Sequence, residues 1–320
     1  MKFLDDEQRI QIGFSFVMDE LGVITSYGVE EKKKVRPYKI GQDENLKEEL
    51  NNIETMINYM KDYYDEFNDI VRILHKIKDV RNTVKRMEKV ETLDEVEFYE
   101  IKYVSMLMEE LKSVLDGMTL AIDKINLNSL EQVIDILDPS KKRMSTFYVY
   151  EEYSDNLSNI RRLKGEKEKE IFACNDEYEI EKLKEERLNI VIEEEEEELA
   201  VRKELTARLA SFSEEIGHNL KVVGILDLLM AKAYLAVKYN CVKPSIVKGM
   251  DIKIVDSINP EIESILKKKG KKFSPVNIEL KGGTTVITGA NMGGKSVALK
   301  TIVLNLFLGQ MGFFVLTVPS

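Results

Sequence analysis

Apolar side chains recur at helical spacing through most of the first 240 positions. Over residues 1–22 the stripe Phe3, Leu4, Ile10, Ile12, Phe14, Phe16, Val17 and Leu21 predicts a helix that Gly22 stops. A short segment, 23–28, follows, and Pro37 makes a break. From about Glu44 to Leu137 nearly everything scans as amphipathic helix. Leu46, Leu50, Ile53, Met56, Ile57 and Met60 mark one face, and Tyr103, Met106, Leu107, Leu111, Val114 and Leu115 another. Stripes of this kind face a core. Asp138-Pro139-Ser140 punctuates the block.

The texture changes between about Glu151 and Ala210. Lys, Arg and Glu alternate there around a thin stripe of Leu157, Ile160, Leu163, Ile171, Leu183, Leu188 and Val191. Such a pattern predicts two long, exposed antiparallel helices touching along one seam, with Asn175-Asp176 at the turn. The run Glu193 to Glu198 reads as a solvated helix face. From Phe212 to Val237 the helix becomes apolar, Pro244 ends it, and a boundary falls near residue 240. Beyond it, Ile252–Val255 reads as a strand, a short helix runs from Pro260 to Leu266, and residues 267–272 form a basic, solvent-facing loop. Val276–Leu280 is a second strand, and Lys281-Gly282-Gly283 is a turn.

That turn leads into Thr284-Thr285-Val286-Ile287-Thr288, a β-branched run expected of a buried strand. Gly289 follows, then Ala290, Asn291, Met292, Gly293 and finally Gly294-Lys295-Ser296: the G-x-x-x-x-G-K-[ST] spacing of a phosphate loop, with helix formers after it. The chemistry accounts for the spacing. Glycines let successive N–H groups curl into one concavity, and the positive end of the next helix adds to its field. Lys295 would reach the β- and γ-phosphates of a nucleotide, and the Ser296 hydroxyl would ligate Mg²⁺.

Composition narrows the rest. With 43% hydrophobic and 32% charged residues and only 6 Pro, the chain fits a soluble, mainly helical protein. A net charge of −10 confines any nucleic-acid contact to a local patch. Cys174 and Cys241 have no metal-ligand spacing and read as buried or idle thiols of a reducing cytoplasm, and His75 among Ile73, Leu74 and Ile77 reads as a helix-surface or packed histidine and not a ligand. The N-terminus lacks the apolar core of a signal peptide and no apolar run is long enough to span a bilayer, so the expectation is a cytoplasmic protein without membrane contact.

Gly289-Ala290-Asn291-Met292-Gly293-Gly294-Lys295-Ser296 resembles the T-G-P-N-M-G-G-K-S-T signature of the MutS family of ATPases, and Gln310–Val315 is similar to its A-Q-I-G-x-F-V continuation. Ser154, Leu157, Ile160 and Arg161 resemble a lever motif, S-x-x-L-x-x-I-R. Leu226-Asp227 with Ala231-Lys232-Ala233 looks like the helix that hands the lever to the ATPase domain, and Thr25-Ser26-Tyr27-Gly28 with Pro37 like the start of the helical core. The resemblance implies a mainly α chain followed by the start of an α/β phosphate-loop ATPase domain. Its parts would be a helical core over 1–150, lever helices with a minimal clamp over 151–240, and the incomplete ATPase domain over 241–320. It implies ATP and Mg²⁺ as cofactors, with residues 289–296 around the triphosphate, Asn291 near the γ-phosphate, Ser296 on the metal and Phe273 stacked on adenine. It also implies DNA as partner, a homodimer in the full-length protein, and nucleotide state coupled to lever movement.

The departures carry their own expectations. The chain opens directly at the helical core, with no mismatch-reading domain and no Phe-x-Glu wedge, as in branches of the family without mismatch recognition. Ile258-Asn259-Pro260 stands where the family often has Arg-His-Pro, and Val297 where it has Thr. The sequence ends soon after the phosphate-loop helix, before the Walker B acids, so it is expected to be a truncated product in which no residue is catalytic. Two functions compete: a MutS-type, DNA-repair-like ATPase, and an ATP-dependent reactivating factor for a protein client, as for factors encoded beside cobalamin-dependent aminomutases.

Overall fold

The single helix expected over 1–22 forms as two, α1 (Asp6–Gln11) and α2 (Phe14–Glu20). Gly13 between them sits at φ 83°, and a Cβ there would lie 3.0 Å from both Asn259 Oδ1 and Glu261 Oε2. Glycine therefore both turns the chain and admits its neighbours. The computed structural model from which this is read describes residues 4–144, 146–249, 251–289 and 294–318.

Helices then follow in series: α3 (Ser26–Lys34), α4 (Asp43–Asp62), α5 (Tyr64–Lys76), α6 (Arg81–Glu88), α7 (Glu95–Met118), α8 (Glu131–Leu137), α9 (Asp155–Ala173), α10 (Glu177–Ala210) and α11 (Ser213–Lys238). After them come β1 (Ile252–Ser257), α12 (Pro260–Lys268), β2 (Val276–Leu280) and α13 (Lys295–Gln310). The chain is mainly helical, as its periodicity predicts. It divides into two units: residues 1–75, 118–125 and 223–320 form one, and residues 76–117 and 126–222 the other.

In the first unit the core gathers Phe14 and Val17 of α2, and Leu21 just after it, with Leu304, Phe307 and Leu308 of α13, and Leu235 of α11. The Phe14 and Phe307 rings meet edge to face at 5.0 Å, an arrangement that adds to their burial energy. β1 and β2 pair antiparallel, Ile252 opposite Leu280. Residues 315–317 bridge on one side to Val242 and on the other to Ser257.

The buried strand expected over 284–288 is a correction. Every residue from 281 to 289 is exposed and outside any strand. β-Branched residues favour a strand only where a ladder and a packed face receive them. Among the described residues β1 and β2 pair with each other, and no strand lies alongside 284–288.

The second unit holds the predicted hairpin. α9 and α10 run together, and residues 174–176 form the turn. Asp176 caps α10 by accepting bonds from the Tyr178 and Glu179 N–H groups. Ser154 caps α9, and Leu157 and Ile160 are buried at its base. The run Glu193 to Glu198 is not a wholly solvated face. Glu193, Glu195 and Glu196 are exposed, but Glu194 is buried beside Arg161 and Lys164. Glu197 accepts from Ser154 Oγ at 2.6 Å and Asn156 Nδ2 at 2.8 Å, and Glu198 pairs with Arg161 at 2.8 Å. Positions 194, 197 and 198 share one side of a helix, and that side meets the basic positions of α9. Further out, Arg187 pairs with Glu168 at 2.7 Å and Lys167 with Glu186 at 3.0 Å.

At the hairpin end Phe172 and Tyr178 are 92% and 83% exposed. Between residues 170 and 181 the charged groups are Glu170, Asp176, Glu177, Glu179 and Glu181, all acidic. Deeper in the unit, Lys102 and Asp138 form a buried pair at 3.3 Å, and Lys102 Nζ lies 3.4 Å from both the Thr146 carbonyl and the Tyr150 hydroxyl. Phe98 and Phe147 pack at 5.1 Å beside this group.

Candidate functional site

α13 begins without a side-chain cap. Gly294, the residue before its first turn, is left-handed at φ 80° and supplies no side-chain cap, and no acidic residue occupies that turn. The first N–H groups of a helix have no intrahelical acceptor, and here their partial positive charge faces solvent. Lys295 Nζ folds back and donates to the Gly289 carbonyl, joining the two glycine ends of the loop. Ser296, the second helical residue, is exposed. A Cβ placed on Gly294 would meet nothing within 4 Å among the described residues. The residues present fit a nucleotide phosphate: backbone donors, a lysine that can exchange a carbonyl for a phosphate oxygen, and a hydroxyl placed to ligate Mg²⁺.

Ala290, Asn291, Met292 and Gly293 lie outside the described residues. Phe273, the ring expected on adenine, is half-buried and packs against the apolar cluster that includes Phe313 and Leu316. Among the described residues no cluster of three or more His, Cys, Asp or Glu is placed to hold a metal ion.

The far end of α13 is tied down by bonds that sequence reasoning missed. Tyr38 N donates to the Gln310 carbonyl at 2.9 Å, and Gln310 Nε2 returns a bond to the Tyr38 carbonyl at 3.3 Å. Burial, and then the charges of Glu49 and Glu48, push the Tyr38 phenol up to about 12. Lys232 of α11 is buried, donates to Glu49 Oε1 at 2.6 Å and to the Gly312 carbonyl at 3.1 Å, and stands 4.7 Å from the Phe313 ring centre. Within the helix, Asn305 donates to the Ile258 carbonyl at 3.0 Å and accepts from Leu316 N at 2.7 Å. A lone amide in the apolar run 302–308 was the one available signal for it.

Among the described residues, the glycines at 289 and 294, the Lys295 bond to the Gly289 carbonyl and the uncapped start of α13 are the features that bear on phosphate binding. No protein-family model matches the chain. It is similar to Endonuclease MutS2 of Pediococcus pentosaceus, 35% identical over 121 residues, which is 37% of this chain and 15% of that protein. The likeness to Endonuclease MutS2 of Leuconostoc mesenteroides is 31% over 126 residues, covering 39% of this chain and 15% of the relative. DNA mismatch repair protein MutS of Staphylococcus aureus matches more of the chain, 23% identical over 290 residues, 77% of this chain and 32% of that protein. The chain thus spans a third or less of the length of these curated relatives, and the likenesses support a relationship to the MutS family. Among the described residues no helix is long and apolar enough to cross a membrane.

Proposed function

We propose that residues 289–296 form the ATP- and Mg²⁺-binding loop of a MutS-type, DNA-handling ATPase, in which nucleotide state biases the position of the α9–α10 lever hairpin. The observation that carries this reading is the uncapped, acid-free start of α13 with Lys295 bonded back to the Gly289 carbonyl. The backbone of the loop and Lys295 would hold the triphosphate, Asn291 would approach the γ-phosphate, Ser296 would hold Mg²⁺, and Phe273 would stack on the base. Bound Mg²⁺ would offset the phosphate charge. The division 1–150, 151–240 and 241–320 into core, levers and the opening of the ATPase domain belongs to this reading, as do a homodimer of the full-length protein and a cytoplasmic location. A ligand that binds two lever arrangements unequally shifts their balance, which is all that coupling requires.

A second reading, an ATP-dependent remodelling factor for a protein client, draws on the hairpin end. Its acidic charge and its exposed Phe172 and Tyr178 suit a protein surface better than a polyanion.

The test is a fluorescent ATP analogue titrated into the chain with and without Mg²⁺. Lys295→Ala is expected to weaken binding by about tenfold or more, as loss of a charge-assisted bond to phosphate does. Ser296→Ala is expected to erase the gain from Mg²⁺ while leaving metal-free binding in place. No saturable binding by folded protein would overturn the nucleotide reading. A salt series with duplex, mismatched and branched DNA separates the two functions: steep weakening with salt supports DNA handling, and no binding at low salt supports the client reading.

A further inference from the structure

Away from the phosphate loop, α1, α2, α3, the segment 35–40 and the last turn of α13 enclose an open groove of about 1250 Å³. Its floor is apolar: Phe14, Phe307 and Met311 are buried, with Met18 and Val35 half-buried beside them. Its lining is cationic, with Arg9, Lys32, Lys33, Arg36 and Lys39 set against two carboxylates, Asp6 and Asp19. This is a local positive patch on a chain of net charge −10. Lys33, Arg36 and Lys39 have no carboxylate partner among the described residues, and the Arg36 guanidinium donates only to the Lys33 and Val35 carbonyls, at 2.7 and 2.6 Å. Two aliphatic side chains of the lining stand in solvent: Ile10 is 61% exposed and Ile40 fully exposed.

The combination selects an occupant. Small-ligand pockets run to roughly 300–1,000 Å³ and enclose most of their ligand; this groove is larger and open. A nucleic acid would use the cations but not the floor, because Phe14 and Phe307 are buried against each other and offer no free ring face for a base. A bilayer would reach Ile10 and Ile40 but not the apolar floor, which lies recessed below the charged lining. An amphipathic helix satisfies all three features, its apolar stripe on the floor and its flanks against the cations.

We propose that the groove between α1–α3 and the last turn of α13 docks an acidic amphipathic helix of a partner protein. Apolar anchors at helical spacing would pack on the half-buried Met18 and Val35 and on the exposed Ile10 and Ile40, and Asp or Glu on the flanks would meet Lys33, Arg36 and Lys39. The site is separate from the loop at 289–296 and does not depend on nucleotide binding there.

The test uses a phage-displayed library of helical peptides selected on the full chain. Counter-selection uses the Lys33→Glu/Arg36→Glu/Lys39→Glu variant, its fold checked by circular dichroism. Enriched peptides should carry aliphatic or aromatic residues at i, i+3, i+4 and i+7 with acidic flanks. In anisotropy titrations their binding should weaken about 30-fold or more in the charge-reversed variant, as expected for loss of several complementary charges. Ile40→Asp should weaken it too, and Lys295→Ala should leave it unchanged. No enrichment over background, enriched peptides without acidic flanks, or equal binding to the charge-reversed variant would overturn the proposal. So would a duplex oligonucleotide or an anionic phosphatidylglycerol vesicle that displaces the peptides and loses binding in the same variant.

Discussion

The carboxylate of Asp227 fills the space that a side chain at Gly28 would need. A Cβ on Gly28 would lie 2.1 Å from Asp227 Oδ2, and the same carboxylate accepts bonds from Ile24 N, Thr25 N and Thr25 Oγ1 at 2.7–3.0 Å. Thr25 Oγ1 in turn accepts from Gly28 N at 2.9 Å and so caps α3. One buried acid on α11 therefore organises the start of a helix about 200 positions earlier. Gly28→Ala should cost about 2–3 kcal/mol through overpacking. Asp227→Ala should cost about 3 kcal/mol, because several buried donors lose their acceptor. Urea unfolding of both and of the double variant gives the coupling, and the double should cost less than the sum.

The hairpin seam should respond to acid. Burial by itself would raise the Glu194 carboxyl, but hydrogen bonds from Lys164 and Arg161 hold it below the usual carboxylate range. Bonds from Ser154 and Asn156 hold Glu197 low as well. A group depressed in the folded state contributes stability above its unfolded pKa, about 4.3 for Glu, and loses it as pH falls through the lower folded value. Helicity followed by circular dichroism should thus hold to about pH 4.3 and fall below it. Glu194→Gln should flatten that fall and cost about 1–2 kcal/mol at neutral pH, since Lys164 loses its carboxylate while Arg161 keeps Glu198.

Lys232→Met tests the anchor at the far end of α13. The substitution keeps the length of the stem but leaves the Gly312 carbonyl without this donor and Glu49 with the longer ion pair to Lys124, at 3.8 Å. A loss of about 2 kcal/mol is expected, and Lys232→Met/Glu49→Leu should recover part of it by removing the weakly compensated charge. Thermal unfolding of the three variants decides the matter. No recovery in the double variant would show that the lysine acts through packing on Phe313 alone.

The two thiols should separate kinetically. Burial pushes the Cys241 thiol up to about 12, so almost none is thiolate near neutral pH. Cys174 sits at the hairpin turn with partial exposure. A disulfide reagent at pH 8 should modify one thiol per chain quickly, mapped to Cys174, and the second only on unfolding.

Much of this architecture was legible because helical periodicity is a local signal. The hairpin, its turn near Asn175-Asp176 and the apolar α11 follow from spacing alone. The strand expected over 284–288 did not, because β-branched residues report a preference that only a neighbouring ladder can satisfy. Asp227 and Lys232 stood within a recognisable pattern, yet their partners lie at positions 24–28 and at 49 and 312, and nothing local in the sequence joins them. The Glu run carries no sign of its own sorting for a related reason: the cations that sort the acids, Arg161 and Lys164, sit on another helix. At the candidate site the spacing alone pointed to Lys295, and the fold added the bare helix end in front of it.

The ladder of ion pairs between α9 and α10 has a mechanical consequence. At about 1.5 Å per residue, the 19 residues of α9 give a paired section roughly 28 Å long. Held by pairs along that length, the section tilts as a beam instead of flexing. A tilt of about 10° about the Ser154 cap would carry the aromatic end some 5 Å by this geometry. On the lever reading proposed above, a small rotation at the root of the hairpin would become a displacement about one helical turn in size at Phe172 and Tyr178.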